Sequence, residues 1–269
     1  MNILFTICGR AGSKGFKNKN LKLLNGIPLV YYTLSVIRLY QQKHKEDYVM
    51  VALNTDSKEL IKVVEEQDFI KAIFIAEREE KLAGDAAPKV EVIQSTYKQC
   101  DKECDVVVDL DITSPIRRLI DVENAINKLK DDLDCDVVFS VVPSRRSPYF
   151  NMVEYKDKYY KKICQSNYTA RQQAPKTYEM NASIYAYNPQ FLGKEINKTL
   201  LEYNCNIVEM PDYLVLDIDS EEDFQLMEIL LDVFSDKDEK LNEVISYTEQ
   251  IGKKERCKRK TRTLDSKQR

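Results

Sequence analysis

Four stretches of this chain carry residue types and spacings that could do chemistry. The first is Cys8-Gly9-Arg10-Ala11-Gly12-Ser13-Lys14-Gly15-Phe16-Lys17-Asn18-Lys19-Asn20. Glycines at every third position let backbone N–H groups turn toward a ligand, and Arg10, Lys14, Lys17 and Lys19 add positive charge. Amide donors and cations on one loop suit a polyanion such as a triphosphate. The spacing is neither G-x-x-x-x-G-K-[ST] nor G-x-G-x-x-G. The second stretch is Asp217-Ile218-Asp219. On an extended segment residues two apart face the same way, so the two carboxylates would point together while Ile218 faces the core. A hard divalent cation, Mg²⁺ or Mn²⁺, relieves their repulsion. The competing role is capping of the helix that follows.

The third stretch is Asp109-Leu110-Asp111-Ile112-Thr113-Ser114-Pro115-Ile116-Arg117-Arg118. It leaves a strand and breaks at Pro115, which places Asp111, Thr113 and Ser114 at the sheet edge. Asp109 and Asp111 form a second D-x-D pair. The alternative for Thr113 and Ser114 is a cap on the next helix. The fourth combines Arg145-Arg146-Ser147-Pro148-Tyr149-Phe150-Asn151 with Arg171-Gln172-Gln173. Arginine suits planar carboxylate recognition, and surface salt bridges are the alternative.

Composition narrows the choice. The chain has 269 residues and a formal net charge of −3, which does not fit a protein that coats nucleic acid. Gly numbers only 7, and four of them (Gly9, Gly12, Gly15, Gly26) lie near the N-terminus. A single histidine, His44, in the polar stretch QQKHKED excludes a multi-histidine metal cluster and reads as a solvated loop residue. The 7 cysteines lack paired C-x-x-C spacing, so free thiols in a cytoplasmic setting are expected. The apolar run before Gly9 is too short for a signal h-region or a membrane span.

These stretches need a scaffold that holds them together. Strands are expected at 3–8, 48–53, 72–75, 106–110 and 137–142, and helices at 28–40, 58–67, 88–99 and 120–133, with a cap at Thr55, Asp56 or Ser57 for the second helix. That alternation predicts an α/β fold: a mostly parallel, doubly wound, Rossmann-like sheet. In open sheets of this kind ligands bind at the carboxyl ends of the strands, where the first loop falls. Residues 144–180 break the pattern with a tyrosine-rich, hairpin-like insertion. A strand returns at 182–187, and a helix follows Asp219 to about Phe234. One domain is expected over 1–235. Residues 236–269 are expected to form a charged tail, disordered at its end, since 252–269 is basic without apolar periodicity. Deletion of 252–269 is expected to leave turnover intact.

Together the motifs resemble the acylneuraminate cytidylyltransferase family, the CMP-sialic acid synthetases. The shared pieces are Gly9-Arg10-Ala11-Gly12-Ser13-Lys14-Gly15 with Lys19-Asn20, Leu82-Ala83-Gly84-Asp85, Thr113-Ser114-Pro115-Ile116-Arg117, Arg171-Gln172-Gln173, Asn181-Ala182-Ser183-Ile184-Tyr185 and Asp217-Ile218-Asp219-Ser220. The Arg145–Asn151 and Asn181–Tyr185 runs look most like the legionaminic acid branch. The resemblance implies a nucleotidyltransferase that joins CTP to a nine-carbon keto-acid sugar and releases pyrophosphate. It implies that Arg10, Gly12, Ser13, Lys14 and Lys19 hold phosphates, that Asn20 and Asp85 hold the cytidine, and that Asp217 and Asp219 bind the metal. Asp111, Thr113, Ser114, Arg117, Arg145, Arg171, Gln172 and Asn181 would meet the substrate, and the insertion would pack a homodimer partner. Two departures stand out. Asp111-Ile112 replaces a common Gln-Pro, so the amide donor is lost and Asp111 faces the sugar or a metal. Gly84 replaces a common Ser near the base. Two alternatives remain at this stage. One is another sugar nucleotidyltransferase, such as a CMP-Kdo synthase or a sugar-1-phosphate enzyme. The other is a non-catalytic nucleotide-binding module with a basic docking tail.

Overall fold

Alternate residues of β1 (Asn2–Cys8) face opposite layers: Ile3, Phe5 and Ile7 join one apolar cluster, and Leu4 joins the other. The same period of two runs through every long strand, which is how a sheet covered on both faces is built. This computed structural model describes residues 1–12, 15–84 and 87–267, with 256–267 described as backbone only.

In chain order, β1 is followed by the two-residue strands β2 (Leu23–Leu24) and β3 (Ile27–Pro28), then α1 (Leu29–Lys43), β4 (Tyr48–Thr55), α2 (Lys58–Glu65), β5 (Phe74–Glu77), α3 (Lys89–Cys100), β6 (Val106–Leu110), α4 (Leu119–Asp131) and β7 (Val137–Pro143). A hairpin of β8 (Val153–Lys156) and β9 (Tyr159–Lys162) turns at Asp157 and Lys158, both at positive φ, as a two-residue hairpin turn requires. Then come β10 (Tyr178–Tyr187), α5 (Pro189–Leu192), β11 (Cys205–Glu209), α6 (Glu221–Phe234) and α7 (Glu239–Lys267). The main sheet has the order β11-β7-β10-β6-β1-β4-β5. Every pairing is parallel except those of β10, which runs antiparallel between β6 and β7. The expected doubly wound sheet is therefore present. The larger core lies under α1, α2, α4, α6 and α7, and the smaller one under α3 and α5.

Local signals set the element ends. Ser57 alone caps α2, its side chain accepting the Leu60 N–H at 3.1 Å. The insertion is shorter than expected, because 178–180 already belong to β10. His44 is half-buried rather than solvated. Its ring stacks on Tyr40 at 4.3 Å and its Nε2 lies 2.7 Å from Glu123 Oε1.

The C-terminal expectation is corrected. Residues 239–267 form one helix, and Leu241, Val244, Ile245, Thr248 and Ile251 are buried, so the folded domain runs well beyond residue 235. Spacings of three and four put these side chains on one stripe against α1 and β3. Gly252 sits where a Cβ would approach Ile27 Cγ1 to 2.8 Å. Gly252→Ala therefore overpacks the contact, a cost of about 1–3 kcal/mol that exceeds the roughly 1 kcal/mol helix-propensity gain of Ala over Gly. A lower thermal midpoint is expected, and a raised one would show that Ile27 yields freely. Since Gly252 packs on Ile27 and Glu255 is also buried, truncation that leaves the packing intact must begin after residue 255, not at 252.

Candidate active site

The loop after β1 is held from two sides. Asp56 Oδ1 accepts the Ala11 N–H at 2.6 Å, and Asn20 Nδ2 donates to the Arg10 carbonyl at 3.1 Å. Gly12 has φ +71°, a conformation that L side chains rarely adopt. Ser13, Lys14 and Asp85 lie outside the described residues.

Lys19 joins this loop to the D-I-D segment. Its Nζ donates to Asp219 Oδ1 at 2.8 Å and to the Ile218 carbonyl at 3.1 Å. Ile218 is fully buried, and its N–H donates to the Thr113 carbonyl at 2.9 Å. Ser220 caps α6, accepting the Asp223 N–H at 3.1 Å, so Asp219 is not the cap. Nor do Thr113 and Ser114 cap α4, which begins after Arg118. Asp217 Oδ1 accepts the Ser114 hydroxyl at 3.2 Å.

Arg10, Lys19, Asn20, Asp111, Thr113 and Asp217 converge on one cleft of about 240 Å³ at the carboxyl edge of β1 and β6. The cleft also contains Cys8 from the first stretch and two residues that the sequence did not single out, Arg78 and Lys89. Arg78 Nε donates to Asn54 Oδ1 at 2.8 Å. Lys89 Nζ lies 2.9 Å from Asp109 Oδ2 and 2.6 Å from Asp111 Oδ2. The available signal for Lys89 was its place beside Pro88 at a helix start, one strand away from a D-x-D pair.

Burial and charge divide the carboxylates. Burial would raise Asp111, but the Lys89 charge and the Thr113 N–H and O–H bonds outweigh it and hold the carboxyl below the usual range. Burial raises Asp217, and the neighbouring Asp111 charge adds to the rise. Burial also opposes the charge on Lys89, yet Asp109 and Asp111 keep its ammonium well above the ordinary lysine value. A depressed carboxylate stabilises the fold above its unfolded pKa, near 4, and loses that contribution as pH falls through its folded value. Asp111→Asn should therefore destabilise the protein at pH 7 and progressively less below pH about 4. Urea unfolding at the two pH values checks this, and an equal loss at both would contradict it.

Five of the expected substrate residues are placed differently. Arg117 is fully buried, and its Nη2 donates to the Asp111 and Ser114 carbonyls, so it braces the turn from behind. Asn181 is buried too. Its Oδ1 accepts the Ser140 hydroxyl at 2.6 Å and its Nδ2 donates to the Leu214 carbonyl at 2.8 Å. Arg145 is occupied by a bidentate pair with Asp212, with Nη2 2.6 Å from Oδ2. Arg171 donates to the Ser144 carbonyl at 2.7 Å, and with Gln172 it lines a second cavity of about 530 Å³ beside Pro143 and Thr177. Within one chain, Arg145, Arg171 and Gln172 are not brought to the cleft.

The loop after β1 thus meets the D-I-D segment through Lys19 and Asp219 at this sheet edge, and comparison with known proteins shows the family. The family model described as Cytidylyltransferase matches residues 4–254. The chain belongs to the cytidylyltransferase family. It is 34% identical over 233 residues to post-translational flagellin modification protein B of Campylobacter coli, covering 85% of this chain and 94% of that protein. It is also 34% identical over 233 residues to CMP-N,N'-diacetyllegionaminic acid synthase of Campylobacter jejuni, with the same coverage. In fold it is similar to a CMP:2-keto-3-deoxy-manno-octonic acid synthetase complexed with CTP, with TM-score 0.63 and 16% identity, covering 86% of this chain and 99% of that one. The family match runs through residue 254, which agrees with α7 being part of the cytidylyltransferase domain.

Proposed function

We propose that this cytidylyltransferase transfers CMP from CTP to the anomeric hydroxyl of a nine-carbon keto-acid sugar of the legionaminate or N-acylneuraminate type, releasing pyrophosphate. The observation that carries this reading is the 34% identity to a CMP-N,N'-diacetyllegionaminic acid synthase across 94% of its length. The sugar oxygen attacks the α-phosphorus and the bond to pyrophosphate breaks. Catalysis then rests on positioning and on neutralising the developing charge. Arg10 and Lys19 supply positive charge beside the phosphates, and the loop amides orient them. Asn20 braces the loop and faces the nucleoside.

Asp217 and Asp219 would hold Mg²⁺ or Mn²⁺. The residues fit such an ion: Asp217 is raised by burial and by two neighbouring carboxylates, repulsion that a divalent cation relieves. When bound, the ion neutralises triphosphate charge. Lys19 already pairs with Asp219, so it positions that carboxylate.

Val153, Tyr155, Tyr159 and Tyr160 of the insertion hairpin are exposed, which supports packing against a second copy. Such a homodimer would bring a partner's insertion beside the sugar. The cysteines Cys8, Cys100, Cys104, Cys135, Cys164 and Cys205 are free, in keeping with a cytoplasmic setting. No helix among the described residues is long and apolar enough to cross a membrane. The test is product mass: with CTP, Mg²⁺ and legionaminic acid, the product should weigh the acid plus CMP less one water. Unchanged acid beside CDP or CMP would mean hydrolysis instead, and would contradict the reading.

A further inference from the structure

Lys89 occupies a built position. Strand parity places Thr6, Asp109 and Tyr185 on the same face as the start of α3. Asp109 is fully buried and accepts the Thr6 hydroxyl at 2.8 Å. Lys89 Nζ spans Asp109 and Asp111 and lies 4.9 Å from the centre of the Tyr185 ring. Its side chain is still 31% exposed, and it borders the cleft.

The charge count decides what this ammonium can bind. Two carboxylates, Asp109 and Asp111, flank this cation, and the buried Arg117 guanidinium interacts with both from behind the turn, so the cluster offers an incoming carboxylate or phosphate no unmatched positive charge. An ammonium has three N–H donors; one goes to Asp111 Oδ2, and Asp109 Oδ2 lies 2.9 Å away as an ion-pair partner. What remains is a donor whose charge is already neutralised, and that suits a neutral oxygen. Asp111 cannot fill this role, because Oδ1 accepts the Thr113 N–H and hydroxyl and Oδ2 accepts Lys89. Lys89 also stands on the β6–β10 side of the cleft, and β10 continues directly from the insertion. The phosphate loop and Arg78 border the β1–β4 side.

We infer that Lys89 is a specificity residue for the acceptor: it donates a hydrogen bond to a neutral oxygen of the sugar, a hydroxyl or an acyl-amide carbonyl, and Asp109 and Asp111 fix it there. This rests on the cytidylyl-transfer reading and assigns a recognition point within that same cleft.

The test is steady-state kinetics of Lys89→Met with CTP and the acid that wild type prefers, then with analogues of that acid each lacking one hydroxyl or acyl oxygen. Should Lys89→Met fail to fold around two unpaired carboxylates, Lys89→Met with Asp109→Asn keeps the Thr6 acceptor and removes one charge. The acid KM should rise on the order of 10- to 100-fold, with the CTP KM unchanged. One analogue should be used by the variant as well as the parent acid is. A CTP KM that rises in step, or a variant that discriminates among the analogues as wild type does, overturns the inference. Wild-type turnover with an unmoved acid KM sinks the inference alone. A wild type silent with every acid sinks the transfer reading, and the inference with it.

Discussion

Asp217→Asn is expected to lower kcat/KM by roughly 10²- to 10³-fold while the protein stays folded. Asn keeps the size of the side chain and the oxygen that accepts the Ser114 hydroxyl. What it removes is a charge that faces Asp111 and Asp219. Burial and those neighbours raise the Asp217 carboxyl, so its ionisation opposes folding. For a carboxyl raised in the folded state, the cost is absent below the unfolded pKa, grows as pH rises toward the folded value, and is constant above it. The variant should therefore be as stable as wild type near pH 3 and at least as stable at pH 7. Kinetics with CTP and urea unfolding at both pH values measure this. A variant unfolded at room temperature would mean that Asp217 holds structure rather than charge.

Lys19→Met is expected to lower kcat/KM by roughly 10²- to 10³-fold, the usual cost of removing one donor that meets developing charge. The stability effect should be small. Its partner Asp219 is 74% exposed, and pairs of that kind contribute about 0–1 kcal/mol. Since the same Nζ also reaches the Ile218 carbonyl, the variant frees the loop from the D-I-D segment, and the CTP KM should rise as kcat falls. Thermal melts alongside kinetics separate the effects. Unchanged kcat/KM would remove Lys19 from the site, and a collapse of the melting midpoint would make it a structural tie.

The inner strands were legible because both faces of the sheet are covered. Buried strands read as apolar runs bounded by polar turns, and β6 was placed to the residue. The N-terminal side of the cleft was legible for a related reason, since a Gly-rich basic loop can be read without tertiary context. α7 was not, because its stripe from Leu241 to Ile251 is narrow and surrounded by Lys and Glu. Arg117 and Asn181 were misplaced because their partners are hidden behind the turn, for Arg117, or far along the chain, the Ser140 hydroxyl and Leu214 carbonyl for Asn181. No motif announces that a polar side chain will be buried. Lys89 escaped for the opposite reason. It matters only once strand parity and the crossing of α3 set it between Asp109 and Asp111, which no spacing along the sequence encodes. The replacement of an expected amide by Asp111 pointed to the place, and the structure shows the Lys89 ammonium paired with it.

The most direct test of the central claim is pyrophosphate release from CTP and Mg²⁺ across a panel of legionaminic, neuraminic, pseudaminic and Kdo acids, with UTP as the control nucleotide. Cytidylyl transfer to a nonulosonic acid predicts release with CTP, dependence on one preferred nine-carbon acid, and little release with UTP. Folded protein that binds CTP yet releases no pyrophosphate with any acid, or that releases it equally without one, would contradict it.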